Sequence, residues 1–197
     1  MQIFKWCSSA RIPDYIGSDD ASDAKISWCD DLSGAPLVHT NDWVPPMLKQ
    51  YLGDKGKRAP LEFNDVGSTV SGFIISANAA TLLADIWNRH ATLYPVQLQG
   101  EGGGPFHMVV INTVLDCLDR ERSRGPLQKY GPTPDLFAYL DEWVFDKDCV
   151  EEAEIFVIPD SPTIVYASER FKERVIEAGL KGVCLRKTWW DENEWHS

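Results

Sequence analysis

The pattern of apolar and polar positions is clearest in the middle of the chain. The apolar run at 73–75 predicts a short buried strand, and the hydroxyl of Ser76 suits the cap of a helix. Four apolar positions at helical spacing mark the buried face of that helix: Ala79, Leu82, Leu83 and Ile86. Two further strands are predicted at 93–98 and 108–111, joined by a glycine-rich turn at 100–105.

The same order of elements recurs near the end of the sequence. A strand is predicted at 163–167, Ser168 is a candidate helix cap, and Gly179 is a candidate helix stop before a closing strand at 182–185. Three apolar residues mark the buried face of this helix: Phe171, Val175 and Ile176. In both segments the apolar residue seven positions after the serine, which is Leu83 or Val175, is expected to point inward. The pattern predicts an α+β fold with a mixed β-sheet and packed helices, which two related strand–helix–strand units could build.

The segment between these two patterns predicts another helix. Thr133, Pro134 and Asp135 supply the cap, the first-turn proline and the early carboxylate that are typical of a helix start. Five apolar residues are expected on its buried face: Leu136, Phe137, Leu140, Trp143 and Val144. The apolar run at 155–158 then predicts a strand that ends at the prolines and polar residues of 159–162.

Length and composition favour one folded domain. The chain has 197 residues, of which 44% are hydrophobic and 25% charged, so we expect a single domain over 1–197, although residues 1–69 show few clear elements. The first residues lack the apolar run of a secretory signal, and no stretch reaches the ~20 apolar residues of a membrane span. We therefore expect a cytoplasmic protein that does not bind membranes. The five cysteines are scattered without Cys-x-x-Cys spacing and are expected to be reduced thiols.

The net charge of the chain indicates which kinds of partner it can bind. Nineteen basic and thirty acidic side chains give a formal net charge of −11. Such a surface repels phosphates, which argues against direct binding of nucleic acid, and it attracts a basic partner. The alternative interpretation is that the acidity only maintains solubility.

Most of the charge imbalance lies in one segment. Between Asp135 and Glu154 eight carboxylates face a single cation, Lys147, and the tail at 189–195 mixes tryptophans with acids. That mixture suits a hot spot for a basic partner, because aromatic residues anchor and charges steer. The candidate partner-binding residues are Asp135, Asp141, Glu142, Asp146, Asp148, Glu151, Glu152, Trp189, Trp190, Asp191, Glu192 and Glu194. A solvated face and a frayed chain end are the alternative interpretations.

The most catalysis-like residues are Asp116 and Asp119. Two carboxylates three positions apart can share a helix face, and His107 on the preceding strand could add a third ligand for a metal. Arg120 and Arg122 are close enough in sequence to pair with the carboxylates instead, and we expect Asp116 and Asp119 to be structural. The sequence contains neither a Gly-Lys-Ser/Thr phosphate loop nor a Gly-x-Ser-x-Gly motif. We therefore expect no catalytic residue, no metal and no cofactor.

Three stretches share their order and spacing with a known family. The first combines the strand and serine-started helix at 73–76 with Tyr-Pro-Val at 94–96, and the second is 110–123. The third and most specific is 155–182, which contains Ser-Glu-Arg-Phe-Lys at 168–172. Together they resemble the immunity protein 11 family, a myxobacterial-type immunity protein domain that was formerly a domain of unknown function. The family-like part covers about residues 70–187.

The resemblance implies a toxin–immunity pair, of a kind often linked to contact-dependent or type VI secretion. The chain would be an antitoxin that binds a cognate secreted toxin, possesses no catalytic residues and blocks the toxin's active cleft. Because many bacterial toxins are nucleases with basic clefts, an acidic antitoxin favours a nuclease toxin. Two alternatives stay open: a metal-dependent hydrolase that uses Asp116, Asp119 and His107, and a non-catalytic adaptor protein.

Overall fold

Two larger β-sheets, a short two-stranded ladder and four helices make up the described part of the chain. The structure is a computed structural model, and it describes residues 2–7, 14–19, 22, 43–52, 63–69, 72–100, 105–125, 127–128, 136–137, 142–150 and 152–188. The helices are α1 (Ala77–Leu82), α2 (Ala84–His90), α3 (Lys147–Val150) and α4 (Glu169–Glu177). The predicted α+β class with a mixed sheet is confirmed.

The larger sheet has six strands. They are β2 (Tyr15–Gly17), β3 (Met47–Gln50), β4 (Val66–Ser68), β5 (Phe73–Ser76), β6 (Ala91–Leu98) and β7 (Phe106–Ile111). Their order is β2-β3-β6-β7-β5-β4, in which β3 and β6 run parallel and the other neighbours are antiparallel. The strands predicted at 73–75, 93–98 and 108–111 are therefore all present.

The second sheet has four antiparallel strands. They are β1 (Ile3–Trp6), β10 (Ile155–Ile158), β11 (Ser161–Ser168) and β12 (Leu185–Lys187), in the order β10-β11-β1-β12. Pro159 and Asp160 form the turn between β10 and β11, where the sequence predicted that the strand would end.

Both predicted strand–helix–strand units exist, and they have the same topology. In the first unit β5 and β6 flank β7, and α1 and α2 connect them. In the second unit β11 and β12 flank β1, and α4 connects them. Each predicted serine caps its helix, since Ser76 Oγ accepts from the N–H of Ala79 at 3.1 Å and Ser168 Oγ accepts from the N–H of Phe171 at 3.4 Å.

The two units meet in one shared core. Leu83 and Val175, each seven positions after its serine, are buried there, as predicted. Alternate residues of the strands point away from this core into two outer clusters, because successive side chains of a strand face opposite sides. One outer cluster surrounds Tyr94 on the six-stranded sheet, and the other surrounds Tyr166 on the four-stranded sheet.

Three local expectations were wrong. Leu82 is 44% exposed, because the first helix breaks at Leu83 into α1 and α2 and its faces shift there. Ile176 is 65% exposed, because Phe171 and Val175 alone form the narrow buried stripe of α4. The closing strand begins at Leu185, later than expected.

The helix predicted after Thr133 is also wrong where the structure describes it. Leu136–Phe137 form a strand, β9, that pairs antiparallel with β8 (Leu127–Gln128). Pairing with the nearby strand β8 satisfies the same backbone groups as a helix would, so this contact overrides the local helix signal. Four residues of the prediction lie outside the described residues: Thr133, Pro134, Asp135 and Leu140.

Candidate functional site

The candidate site lies on a segment that covers the outer face of the four-stranded sheet. This covering segment comprises residues 113–125 and 142–150. A β-bridge from Val114 to Val157 joins this segment to the sheet. Two further bridges, Leu118 to Phe145 and Arg124 to Glu142, join its two parts to each other. Trp143 and Val144, which were expected in a helix, are not helical, because these bridges hold the residues on either side of them.

Apolar contacts anchor the covering segment to the sheet. Cys117 and Leu118 are buried in the same cluster as Phe156 and Tyr166 of β10 and β11. Burial raises the pKa of the Cys117 thiol to about 12, and the neighbouring Cys149 adds to the effect. The thiol is therefore protonated at neutral pH and is not an activated nucleophile.

A pocket of about 530 Å³ on the covering segment is lined by carboxylates, and we call it the acidic pocket. Its four aspartates are Asp116, Asp119, Asp146 and Asp148. Arg122 and Lys147 also line it. The fold thus brings together two acidic pairs that lie far apart in the sequence, from the two parts of the covering segment.

Backbone hydrogen bonds hold these aspartates in place. Asp119 Oδ1 accepts from the N–H of Arg122 at 3.0 Å, which fixes a tight turn. The N–H of Asp146 donates to the carbonyl of Cys117 at 2.8 Å, and the N–H of Asp148 donates to Asp146 Oδ1 at 3.0 Å. The carboxylates of Asp119 and Asp146 are therefore positioned by hydrogen bonds from the backbone of the covering segment.

Ion pairs neutralise only part of the acidic pocket. Arg120 donates to Asp116 at 2.7 Å, and Arg122 lies 3.8 Å from Asp119, so both expected pairings are present. The other two aspartates are exposed and form no ion pair with any residue that the structure describes. The pocket keeps an exposed negative charge that can bind the ammonium or guanidinium groups of a partner.

A second pocket, of about 360 Å³, borders the first, and we call it the apolar pocket. Its hydrophobic lining consists of Ile3, Trp143, Val144 and Phe145. The indole Nε1 of Trp143 donates to the hydroxyl of Tyr166 at 2.9 Å. Sequence reasoning missed this pocket because its walls come from distant parts of the chain. The mixture of Trp143 with surrounding acids was the available signal, since the same mixture had marked the tail.

The predicted partner-binding residues divide into two groups. Four are described and exposed: Glu142, Asp146, Asp148 and Glu152. The others lie outside the described residues: Asp135, Asp141, Glu151, Trp189, Trp190, Asp191, Glu192 and Glu194. Of the four, the structure places Asp146 and Asp148 in one pocket with Asp116 and Asp119, to which the sequence had assigned a purely structural role.

Glu154, the last carboxylate of the acidic segment, does not belong to the surface. Its side chain is 4% exposed and bonds Arg89 and His90 at 2.8 Å each, with Arg170 at 3.6 Å. Burial opposes its charge, but the hydrogen bond with His90 and the charges of Arg89 and Arg170 hold the pKa of the carboxyl below its ordinary value. Glu154 is a buried carboxylate that pairs with residues of the helices. The prediction that the whole acidic segment forms a binding surface was therefore wrong at Glu154.

The described residues do not assemble the alternative metal site. His107, Asp116 and Asp119 are all described, yet no group of three His, Cys, Asp or Glu side chains in this part of the chain is placed to hold a metal. His107 lies on β7 of the six-stranded sheet, opposite Ile75. Burial lowers the pKa of its imidazole, and its buried Nδ1 has no hydrogen-bond partner among the described residues.

Comparison with known proteins yields one family match. The model described as "Immunity protein family (Imm11)" matches residues 56–188, which is more than half of the chain and includes the four aspartates of the acidic pocket. No curated protein matches the chain. None of the helices in the described ranges is long and apolar enough to cross a membrane.

Proposed function

This chain belongs to the Imm11 immunity protein family, and on that premise we propose that it is an antitoxin. It binds a cognate secreted bacterial toxin and covers the toxin's active cleft, and it performs no catalysis of its own. An antitoxin of this kind protects the cell that makes the toxin, so we place it in the cytoplasm.

The observation that carries the proposal is the acidic pocket. Four aspartates from two parts of the covering segment share one concave surface, and two of them, Asp146 and Asp148, form no ion pair with any described residue. An exposed cluster of one charge sign attracts a partner of the opposite sign and accelerates their encounter. We extend the proposed binding surface to the predicted residues from Asp135 to Glu152 and from Trp189 to Glu194.

Charge also favours one class of toxin. A nuclease has a basic cleft for phosphates, and an acidic protein can occupy that cleft in place of the nucleic acid. We therefore propose a nuclease toxin, of the kind delivered by type VI secretion. The net charge of −11 disfavours direct binding of nucleic acid by the chain itself.

Neutralisation with purified proteins tests the proposal. The probe is the purified product of the gene adjacent to the gene for this chain, assayed for cleavage of plasmid DNA and of RNA. We expect an equimolar amount of this chain to stop the cleavage, and the two proteins to co-elute. A toxin that stays active and unbound in excess chain contradicts the antitoxin function. A toxin that is inhibited but never cleaves nucleic acid contradicts only the nuclease assignment.

Charge variants test the role of the acidic pocket. Asp146→Asn combined with Asp148→Asn removes two charges without changing side-chain size. The matched control, Glu173→Gln with Glu177→Gln, removes two charges from exposed positions of α4. We expect the first pair to slow association about fivefold at low salt, with a smaller effect on dissociation, and the control to leave the association rate near the wild-type value.

Ionic strength supplies an independent measurement. Added salt should slow association of the wild-type protein with the same gene product, because the Debye length falls from about 10 Å at 0.1 M to about 3 Å at 1 M. Stopped-flow mixing at several salt concentrations measures this. An association rate that responds to neither salt nor the aspartate substitutions shows that the interface lies elsewhere.

A further inference from the structure

The acidic and apolar pockets form one continuous concave surface. Arg122, Phe145 and Lys147 line both pockets, so the two hollows share a wall. A hydrophobic hollow therefore lies directly beside a group of exposed carboxylates.

We propose that the apolar pocket is the anchor site of the toxin interface. It receives one large apolar side chain from a basic segment of the toxin, and the acidic pocket binds lysines or arginines of that segment. The inference rests on the proposed function and adds the position and the chemistry of the interface to it.

The apolar pocket is held open in the free protein. Trp143 is fixed by its hydrogen bond to Tyr166, and Lys5 Nζ lies 5.8 Å from the centre of its ring. Across the pocket, Thr188 Oγ1 donates to the carbonyl of Ile3 at 3.0 Å and ties two lining residues together. A preformed hollow binds an anchor side chain without first paying to order its own walls. Its volume of about 360 Å³ falls at the lower end of the ~300–1,000 Å³ found for small-ligand sites, which suits a side chain.

The charges beside the apolar pocket favour one kind of toxin segment as the carrier of the anchor side chain. Two cations line the shared wall, and one of them, Arg122, already lies 3.8 Å from Asp119. Asp146 and Asp148 form no ion pair with any described residue, so the side of the hollow that borders the acidic pocket stays negative. An apolar side chain flanked by lysines or arginines satisfies both pockets at once, as in interfaces where a buried anchor is surrounded by polar contacts.

The tryptophan-rich tail follows a lining residue of the apolar pocket in the sequence. Thr188 lines the apolar pocket, and Trp189 and Trp190 follow it directly in the sequence. The tail residues predicted to bind the toxin therefore follow a lining residue of the proposed anchor site directly in the sequence.

Filling the apolar pocket tests the proposal. Val144→Trp and Gln2→Trp each add bulk to the lining without changing charge, and Ile176→Trp adds a tryptophan at a 65% exposed position of α4 as the control. The probe is again the purified product of the adjacent gene. We expect each pocket variant to raise Kd by at least about 30-fold, the loss typical of a hot spot, and Ile176→Trp to bind like wild type. Thermal melting identifies a variant that fails to fold, and the other pocket variant then carries the test.

The outcomes separate this proposal from the function on which it rests. Wild-type protein that does not bind the toxin contradicts the antitoxin function. Wild-type binding together with unchanged affinity of the folded pocket variants contradicts the anchor site alone. A crystal structure of the complex supports the proposal if a toxin side chain fills the pocket. The proposal is overturned if Trp189, Trp190 or a small molecule fills it.

Discussion

The two strand–helix–strand units share a topology and differ in what covers them. Both units cap their helix with a serine and bury the apolar residue seven positions later. The outer cluster of the first unit's sheet includes Trp43 and Phe63, whereas the sheet of the second unit is overlaid by the covering segment. Only that covering segment carries the acidic pocket. The same local pattern therefore builds both units, and the two sheets differ in the segment that covers them.

The helix ends differ as well. In the first unit α2 passes directly into β6 at Ala91, which is extended. In the second unit α4 is followed by Gly179 with φ of 65° and Gly182 with φ of 87°. These are conformations that residues with a Cβ adopt only at a cost. The helix end of the second unit therefore depends on backbone conformations that the helix end of the first unit does not use.

Glu154 connects the two units. Its carboxylate contacts Arg89 and His90 at the end of α2 and Arg170 on α4. Arg174 on α4 donates to both carboxylate oxygens of Asp85 on α2, at 2.8 and 2.9 Å. Polar contacts thus reinforce the shared apolar core, and we expect the units to unfold together.

The largest expected effect is on the independent folding of the two units: we expect that neither unit folds alone. We propose one domain over 1–197, because the helices of both units bury their apolar faces in one core. Limited proteolysis should therefore leave a core near full length and no half-molecule, as judged by mass spectrometry. Two stable fragments that split near residue 100 would show that each unit folds alone.

Removing the connecting carboxylate should be the most damaging single change. Glu154→Ala leaves His90 and the arginines without their buried partner, and we expect the free energy of unfolding to fall by about 2–4 kcal/mol. Because the folded state lowers the pKa of Glu154 from its ordinary 4.5, its contribution is complete above pH 4.5 and disappears as pH falls through the lower folded pKa. Urea unfolding at pH 7 and at several pH values below 4.5 measures both effects. If Glu154→Gln keeps the full acid sensitivity of the wild type, another carboxyl is responsible.

Substitutions of Gly179 and Gly182 test the backbone conformations that follow the helix of the second unit. A Cβ on residue 182 would lie 2.9 Å from the carbonyl oxygen of Val66, whereas a Cβ on residue 179 would meet nothing within 4 Å. We expect Gly182→Ala to cost about 1–3 kcal/mol and Gly179→Ala about 1 kcal/mol, since both carry the strain of a positive φ. Chemical denaturation of the two variants in parallel tests this order, and equal losses would contradict the close contact with Val66.

The covering segment should tolerate loss of a salt bridge better than loss of a turn. Asp119→Ala removes the acceptor of two backbone N–H groups, and we expect a loss of about 1–2 kcal/mol. Arg122→Ala removes only a long, exposed ion pair with Asp119 and should cost less than about 0.5 kcal/mol. Denaturation midpoints of the two variants decide, and a larger loss for Arg122→Ala would show that the ion pair holds the segment.

The smallest expected difference lies between the two helix caps. Ser168 is 2% exposed and also donates to the carbonyl of Glu154 at 3.4 Å, while Ser76 is half-buried and donates to Asp65 at 3.1 Å. We expect Ser168→Ala to cost about 1–2 kcal/mol and Ser76→Ala about 1 kcal/mol. Thermal unfolding of both variants, with each serine also changed to threonine as a capping control, gives the comparison. A threonine variant as unstable as its alanine counterpart would show that helix capping is not the cause.

The sequence by itself determined the elements whose signals are local. Apolar runs identified the strands at 73–75 and 155–158, and the serine caps and the stop at Gly179 lie where their residue types predict. These features depend on neighbouring residues, so a short window of sequence contains the information. The resemblance carried by 70–187 likewise agrees with the family match over 56–188.

Tertiary structure alone decided what depends on residues far apart in the chain. Even over a short separation in the sequence, it paired Leu136–Phe137 with β8, and this strand replaced the helix that Pro134 and Asp135 had favoured. It buried Glu154, since the arginines and the histidine that stabilise the carboxylate come from two other elements. It also assembled both pockets, whose walls join the two parts of the covering segment and, at the apolar pocket, Ile3 and Thr188, which are 185 positions apart in the sequence. A local sequence pattern cannot predict such contacts, because burial and hydrogen bonding between separate segments exist only once the chain has folded.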